Sequence, residues 1–188
     1  MVLIRLGLLI FVFSSFSFAS DLSIYEEESK ISIKELAFNL KKSLKAVIQE
    51  SGPIAAIEYC NIAALDITDG ISQKKNIFIK RTSLKLRNKN NMPDSWEINV
   101  LNSFKKRKKN GEGLMYISHQ EIYEENNKTF YRYMKVIPTG KVCLTCHGSN
   151  IKPELISTII DLYPEDKAYN FKVGDIRGAF SVKIPLSN

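Results

Sequence analysis

Cysteine and histidine are scarce in this chain, with three and two copies in 188 residues. The scarcity excludes several readings at once. A zinc site is a poor fit, because two cysteines beside one histidine lack a second ligand pair. No cysteine stands directly after the expected cleavage site of the N-terminal leader, which argues against a lipid anchor. Past that leader no apolar run is long enough to span a bilayer. There is no internal repeat, and no low-complexity tract beyond a basic knot at Lys105, Lys106, Arg107, Lys108 and Lys109. The length suits one domain with a real core and is short for two. At 44% hydrophobic and 25% charged residues, the composition is globular rather than disordered.

What is present begins with residues 1–19, which read as a secretory signal peptide. Arg5 supplies the positive start, Leu6 to Phe13 the apolar stretch, and Ser17-Phe18-Ala19 the small-x-small pattern for cleavage after Ala19. An uncleaved N-terminal anchor is the alternative. Residues 20–188 then form a single exported domain, expected in the periplasm after Sec-type secretion and without stable membrane insertion. The net charge of +7 would suit a nucleic-acid binder, but an exported chain has no such partner. A solvated helix end or a docking patch for an acidic partner is the better reading of the basic knot.

Along the chain, Asp21 to Ser29 reads as a polar lead-in. Ile33, Leu36, Ala37, Leu40, Leu44, Val47 and Ile48 recur at helical steps. Gly52-Pro53 closes that helix and opens another, to about Leu65, with a stop at Asp69-Gly70. Ile77 to Arg81 is a strand candidate. Asp94 and Glu97 form a capping box for a helix lined by Trp96, Val100, Leu101 and Phe104. Strand character is expected from Leu114 to Pro138, with a hairpin turn at Asn126-Asn127. A short helix over Leu155 to Leu162 and a last strand over Gly178 to Ile184 follow. Helices first, then an antiparallel meander, predict an α+β domain.

The chemistry concentrates in Cys143-Leu144-Thr145-Cys146-His147. Cys-x-x-Cys-His is the pattern of covalent haem c attachment. Two thiols on one tight turn can each add to a vinyl group, and the adjacent histidine is carried under the iron as an axial ligand. Export agrees with the motif, since haem of this type is attached outside the cytoplasm.

Cys60 is then left over. It shares a helix face with Ala56 and Ile57, so it is either a small buried hydrophobe or a thiolate ligand opposite His147. His119, Met92, Met115 and Met134 are the other candidates for the sixth position. A thiolate would donate electron density and lower the potential, whereas methionine would raise it.

Several stretches resemble a PAS-like periplasmic c-type haem domain family found in secreted haem proteins and in sensor ends of signalling proteins. They are Glu58-Tyr59-Cys60, Arg81 to Asn88, Cys143 to Gly148, Tyr163 to Ala168, and Val173 to Val182. The resemblance implies a PAS-like antiparallel sheet flanked by N-terminal helices, and an iron held by His147 and Cys60. Lys89 and Asn170 depart from the family pattern without touching the ligands. Arg81 and Arg87 are candidate partners for the haem propionates, since guanidinium matches carboxylate, or arginines that tie a loop together. Tyr59 and Tyr133 either pack on the macrocycle or belong to the core.

The sequence therefore points to an exported c-type haem protein in one-electron transfer or redox and gas sensing. A redox or signalling protein is its expected partner, and substrate turnover is not the expected role. The main alternative is a haem-free thiol-disulfide oxidoreductase using Cys143 and Cys146. A ligand-binding module with a structural haem is a third reading.

Overall fold

A computed structural model describes residues 18–186. The leader expected over 1–19 lies outside the described residues except at positions 18 and 19. Helix α1 spans Phe18–Lys75 and is broken at one residue, Gly52. Its φ of 82° and ψ of 178° belong to a region open essentially to glycine alone. Pro53 follows, with a fixed φ and missing N–H that suit the first turn of a new helix. The two limbs run back along each other. Lys74 Nζ lies 3.1 Å from Glu35 Oε1 and Lys75 Nζ 3.2 Å from Glu28 Oε1. A straight helix, rising about 1.5 Å per residue, would hold Glu35 and Lys74 about 60 Å apart.

Two boundaries of this hairpin differ from expectation. Asp21 to Ser29 is helical rather than a lead-in, because Leu22 and Tyr25 pack on the sheet core and Lys30 pairs with Glu26 one turn away at 2.7 Å. The second limb also runs through Asp69-Gly70, since Thr68 and Ile71 beside that pair are buried. It ends at Lys75, followed by Asn76 with a φ of 52°, the left-handed conformation that commonly stops a helix.

The strands are β1 (Phe78–Thr82), β2 (Ser118–Glu125), β3 (Lys128–Pro138) and β4 (Ile176–Pro185). Among the described residues they form one antiparallel sheet in the order β1-β4-β3-β2. Asn126 and Asn127, with φ of 51° and 59°, make the tight β2–β3 turn that the Asn pair predicts. Leu114–Tyr116, expected as strand, is instead a single 3-10 turn. Gly113 accepts the Tyr116 N–H at 2.9 Å, and Met115 and Tyr116 point outward, so their apolar character fills no sheet face.

Side chains alternate across this sheet and make two cores. On one face Tyr131, Tyr133, Val182 and Ile184 meet Ile33, Leu36 and Ile71 of the α1 hairpin. On the other, Met134, Val136 and Ala179 meet Trp96, Val100, Leu101 and Phe104 of α2 (Ser95–Lys109). The Asp94–Glu97 capping box forms as expected. The short α3 (Leu144–His147) and α4 (Pro153–Leu162) complete the chain. Leu155 and Ile159 of α4, with Tyr163, pack on Ile57 of the second α1 limb. This satellite core anchors the hairpin tip beside the end of the sheet.

Gly52→Ala is expected to cost about 1–3 kcal/mol of unfolding free energy. Urea titration of the two proteins measures it as a lower midpoint with an unchanged slope.

Candidate functional site

The ends of β1 and β3 and the start of β4 lie at one edge of the sheet, and the α1 hairpin tip overhangs them. Between tip and sheet end is a cavity of about 280 Å³. Its walls carry Cys60 from the second limb of α1, Arg81 from β1, Arg87 from the following loop, and Cys143, Cys146 and His147 around α3. All six candidate site residues therefore meet in one place. Leu44, Ile48, Ala56, Ile57 and Ala64 give the hairpin side of the cavity an apolar lining.

The competing ligands lie elsewhere. His119 is on β2, 3.4 Å from Glu121 and beside Trp96. Met134 is buried under α2, while Met92 and Met115 face outward. Tyr133 is in the α1 core, and Tyr59 is not among the cavity residues. Tyr163 does line the cavity, with its ring packed in the Ile57 cluster.

His147 is held by its own backbone and by one outer contact. Its Nδ1 lies 2.7 Å from the Ala168 carbonyl. A carbonyl only accepts, so Nδ1 carries the proton and Nε2 keeps a free lone pair. Burial first, then the charges of Arg177 and Arg87, hold the imidazole pKa down at about 3, so the ring is neutral at physiological pH. Gly148 turns the chain immediately afterwards. Its N–H donates to Leu144 O at 3.0 Å, and a Cβ there would sit 2.6 Å from that same oxygen.

The segment that follows α4 closes around this turn. Phe171 N–H donates to His147 O and Asn170 N–H to Gly148 O, each at 3.0 Å. Arg87 fastens the assembly. Its Nη2 reaches Cys146 O at 2.6 Å, Asp166 Oδ2 at 3.0 Å and Ala168 O at 3.4 Å. The guanidinium is thus committed to the loop. It braces the carbonyl that orients His147.

Arg81 is different. No hydrogen bond is recorded for its guanidinium among the described residues, and its Nε, like that of Arg87, is buried without a partner. Arg177, which the sequence did not single out, shares the cavity. It donates to Ser83 Oγ at 3.2 Å and Lys85 O at 3.1 Å. Burial, with Arg87 adding repulsion, pulls its pKa to about 10. Three guanidiniums against the single carboxylate of Asp166 leave a buried positive excess. Such a site fits a bound group that brings its own carboxylates.

Cys60, Cys143 and Cys146 are free thiols, each half-buried. Burial pushes Cys60 up against the opposing pull of Arg81 and Arg87, and it raises Cys146 likewise. Gly178 lines the same cavity. A Cβ there would collide with the Thr82 carbonyl, so the close approach of β4 to the end of β1 requires glycine.

An α+β domain with an open antiparallel sheet, a long N-terminal helix and a cavity at the sheet end is PAS-like, as expected. The chain belongs to the Tll0287-like family, whose model matches residues 19–185. This meets the expected kinship with a haem-protein domain family. The crystal structure of the cyanobacterial haem protein Tll0287 shares the fold, with a TM-score of 0.65 at 21% identity over 92% of this chain and 99% of that one. No curated protein sequence matches the chain.

Arg87→Met removes one partner of a nearly buried ion pair and is expected to cost about 3 kcal/mol. Arg87→Lys should recover less than half of that, because a point charge cannot serve Cys146 O and Asp166 together. Chemical denaturation of the three proteins gives the comparison.

Proposed function

We propose that this chain is a one-electron redox protein built on a single haem c. The observation that carries the reading is one cavity that joins Cys143, Cys146 and His147 to Cys60 and to the unpartnered Arg81. Cys143 and Cys146 would hold the group through thioethers, and His147 Nε2 would ligate its iron. Cys60 would supply the other protein ligand. Of the sixth-ligand candidates named from the sequence, it alone lines the cavity. Arg81 and Arg177 are the propionate partners, while Arg87 positions the His147 loop.

When bound, haem supplies reversible one-electron chemistry at iron, and the chain decides what reaches it. The hairpin tip provides an apolar cover that excludes water. The Ala168 carbonyl fixes the imidazole and makes it a better donor. A thiolate at Cys60 favours ferric iron and lowers the potential. If Cys60 and His147 both held the iron, electron transfer or redox sensing would be the role, and gas binding would require one of them to leave. The leader supports export to the periplasm, with cleavage after Ala19.

A thiol-disulfide oxidoreductase is the lesser reading. His147 directly follows the pair, and among the described residues the strands pair antiparallel rather than in the βαβ arrangement that accompanies a redox Cys-x-x-Cys.

The exported protein is expected to be coloured, with a reduced spectrum of c type and haem that stays with the polypeptide on a denaturing gel. Replacing both Cys143 and Cys146 by serine should abolish that retention, and a colourless wild-type protein would refute the proposal. Cys60→Ala should keep the covalent haem but shift the ferric spectrum and raise the potential. Identical spectra in both oxidation states would refute thiolate ligation alone.

A further inference from the structure

The lysine-rich end of α2 forms part of a second feature that the haem cavity does not use. Between α2 and the loop before β4 lies a groove of about 420 Å³, open to solvent and lined by Lys85, Lys105, Lys108, Lys109, Phe171 and Asp175 among others. Its charges do not cancel. Asp175, the one carboxylate of the groove, is taken by Lys108 at 2.9 Å. Arg107 nearby is bound to Glu112 at 2.6 Å. Lys105 and Lys109 are exposed and have no recorded ion pair among the described residues. The Lys85 ammonium lies over the Phe171 ring at 5.2 Å and donates to the Tyr169 carbonyl at 3.4 Å, with no carboxylate partner among the described residues.

A helix C-terminus favours cations in its last turn, which accounts for some of the α2 lysines. It does not account for Lys85, which arrives from the loop after β1. The groove also shares a wall with the cavity, because Ser83 and Gly178 line both. Phe171 lines the groove and stands edge-on to the His147 ring, centroids 6.3 Å apart at 84°. The imidazole is therefore one aromatic ring from a positively charged surface.

We propose that this groove is the docking site for an acidic electron-transfer partner protein. The proposal rests on the haem reading above and names the partner class for that same site. Exposed lysines on flexible stems around an open groove suit steering and orientation of a large partner better than the grip of a small ligand. One electron crosses between the haem iron and the partner's acceptor. When iron is the donor it goes from ferrous to ferric and the acceptor is reduced by one, and no bond forms or breaks.

The test compares the triple variant Lys85→Glu, Lys105→Glu, Lys109→Glu with a control of equal net charge, Lys30→Glu, Lys34→Glu, Lys128→Glu. The probes are ferricyanide as an anionic oxidant and hexaammineruthenium(III) as a cationic one, with stopped-flow oxidation of the reduced holoprotein. At about 20 mM ionic strength, the groove variant should slow ferricyanide by about tenfold and speed hexaammineruthenium, while the control changes either by less than about twofold. A labelled glutamate hexapeptide, which has no redox chemistry, should bind wild type and control at low salt and lose binding to the groove variant. The neutralising triple Lys→Gln at the groove positions serves if charge reversal impairs folding, with a smaller effect of the same sign. Equal responses of groove and control variants, in rate and in peptide binding, overturn the docking proposal. A protein without haem overturns the earlier reading instead.

Discussion

The contact on which the site depends is the guanidinium of Arg87 inserted among Cys146 O, Asp166 and Ala168 O. It ties its own loop after β1 to the turn at α3 and to the segment after α4, which lie 59 to 81 positions further along the chain. None of these segments has a large core of its own. The charged donor takes two carbonyls and a carboxylate that would otherwise be desolvated without compensation, the situation in which hydrogen bonds matter most. The orientation of His147 follows from it, because the carbonyl that receives the imidazole proton is one that Arg87 holds.

Around that junction the fold divides its labour. One sheet face carries the helical hairpin and the other carries α2, so both faces are covered and the sheet is rigid where the ends of its strands converge. The cavity is placed at the ends of the strands, where backbone can diverge without leaving a sheet face bare. Glycine appears where rigidity demands closeness: Gly178 against Thr82, and Gly148 against Leu144. The hairpin tip, turned by Gly52 and anchored through Ile57 to α4, brings a cysteine from the N-terminal half to a motif in the C-terminal half.

The parts readable in the sequence were those with a local cause. The Gly52-Pro53 break, the Asp94–Glu97 box, the Asn126-Asn127 turn and the Cys143–His147 pattern each depend on a few neighbouring residues. The polar stretch from Asp21 to Ser29 misled because the apolar side chains it packs on the core are Leu22 and Tyr25, too few to show a period until the sheet beneath them is known. Met115 and Tyr116 misled for the opposite reason, being apolar residues with nothing to cover. Arg81 and Arg87 were equal candidates in sequence. Only tertiary structure separates them, giving Arg87 three acceptors and leaving Arg81 bare. Asp166 and Ala168 lay within a stretch that carried the family resemblance, yet a backbone carbonyl has no sequence signature. Arg177 acquires meaning only beside Arg81 and Arg87.

Cys60 and His147 lie 87 positions apart in the chain and border the same cavity. The two proposed thioether positions, three apart, would close almost no loop, so covalent attachment alone would restrain the unfolded chain very little. Proposed ligation of one iron by both Cys60 and His147 is another matter. It would act as a topological cross-link, removing conformational freedom on the scale of a disulfide across a similar loop, about 4–5 kcal/mol in the chain-entropy description. Loss of the thiolate on reduction would then do more than change the iron's electronics. It would untie the hairpin from the C-terminal half, and the oxidation state of one metal ion would set the mechanical integrity of the domain.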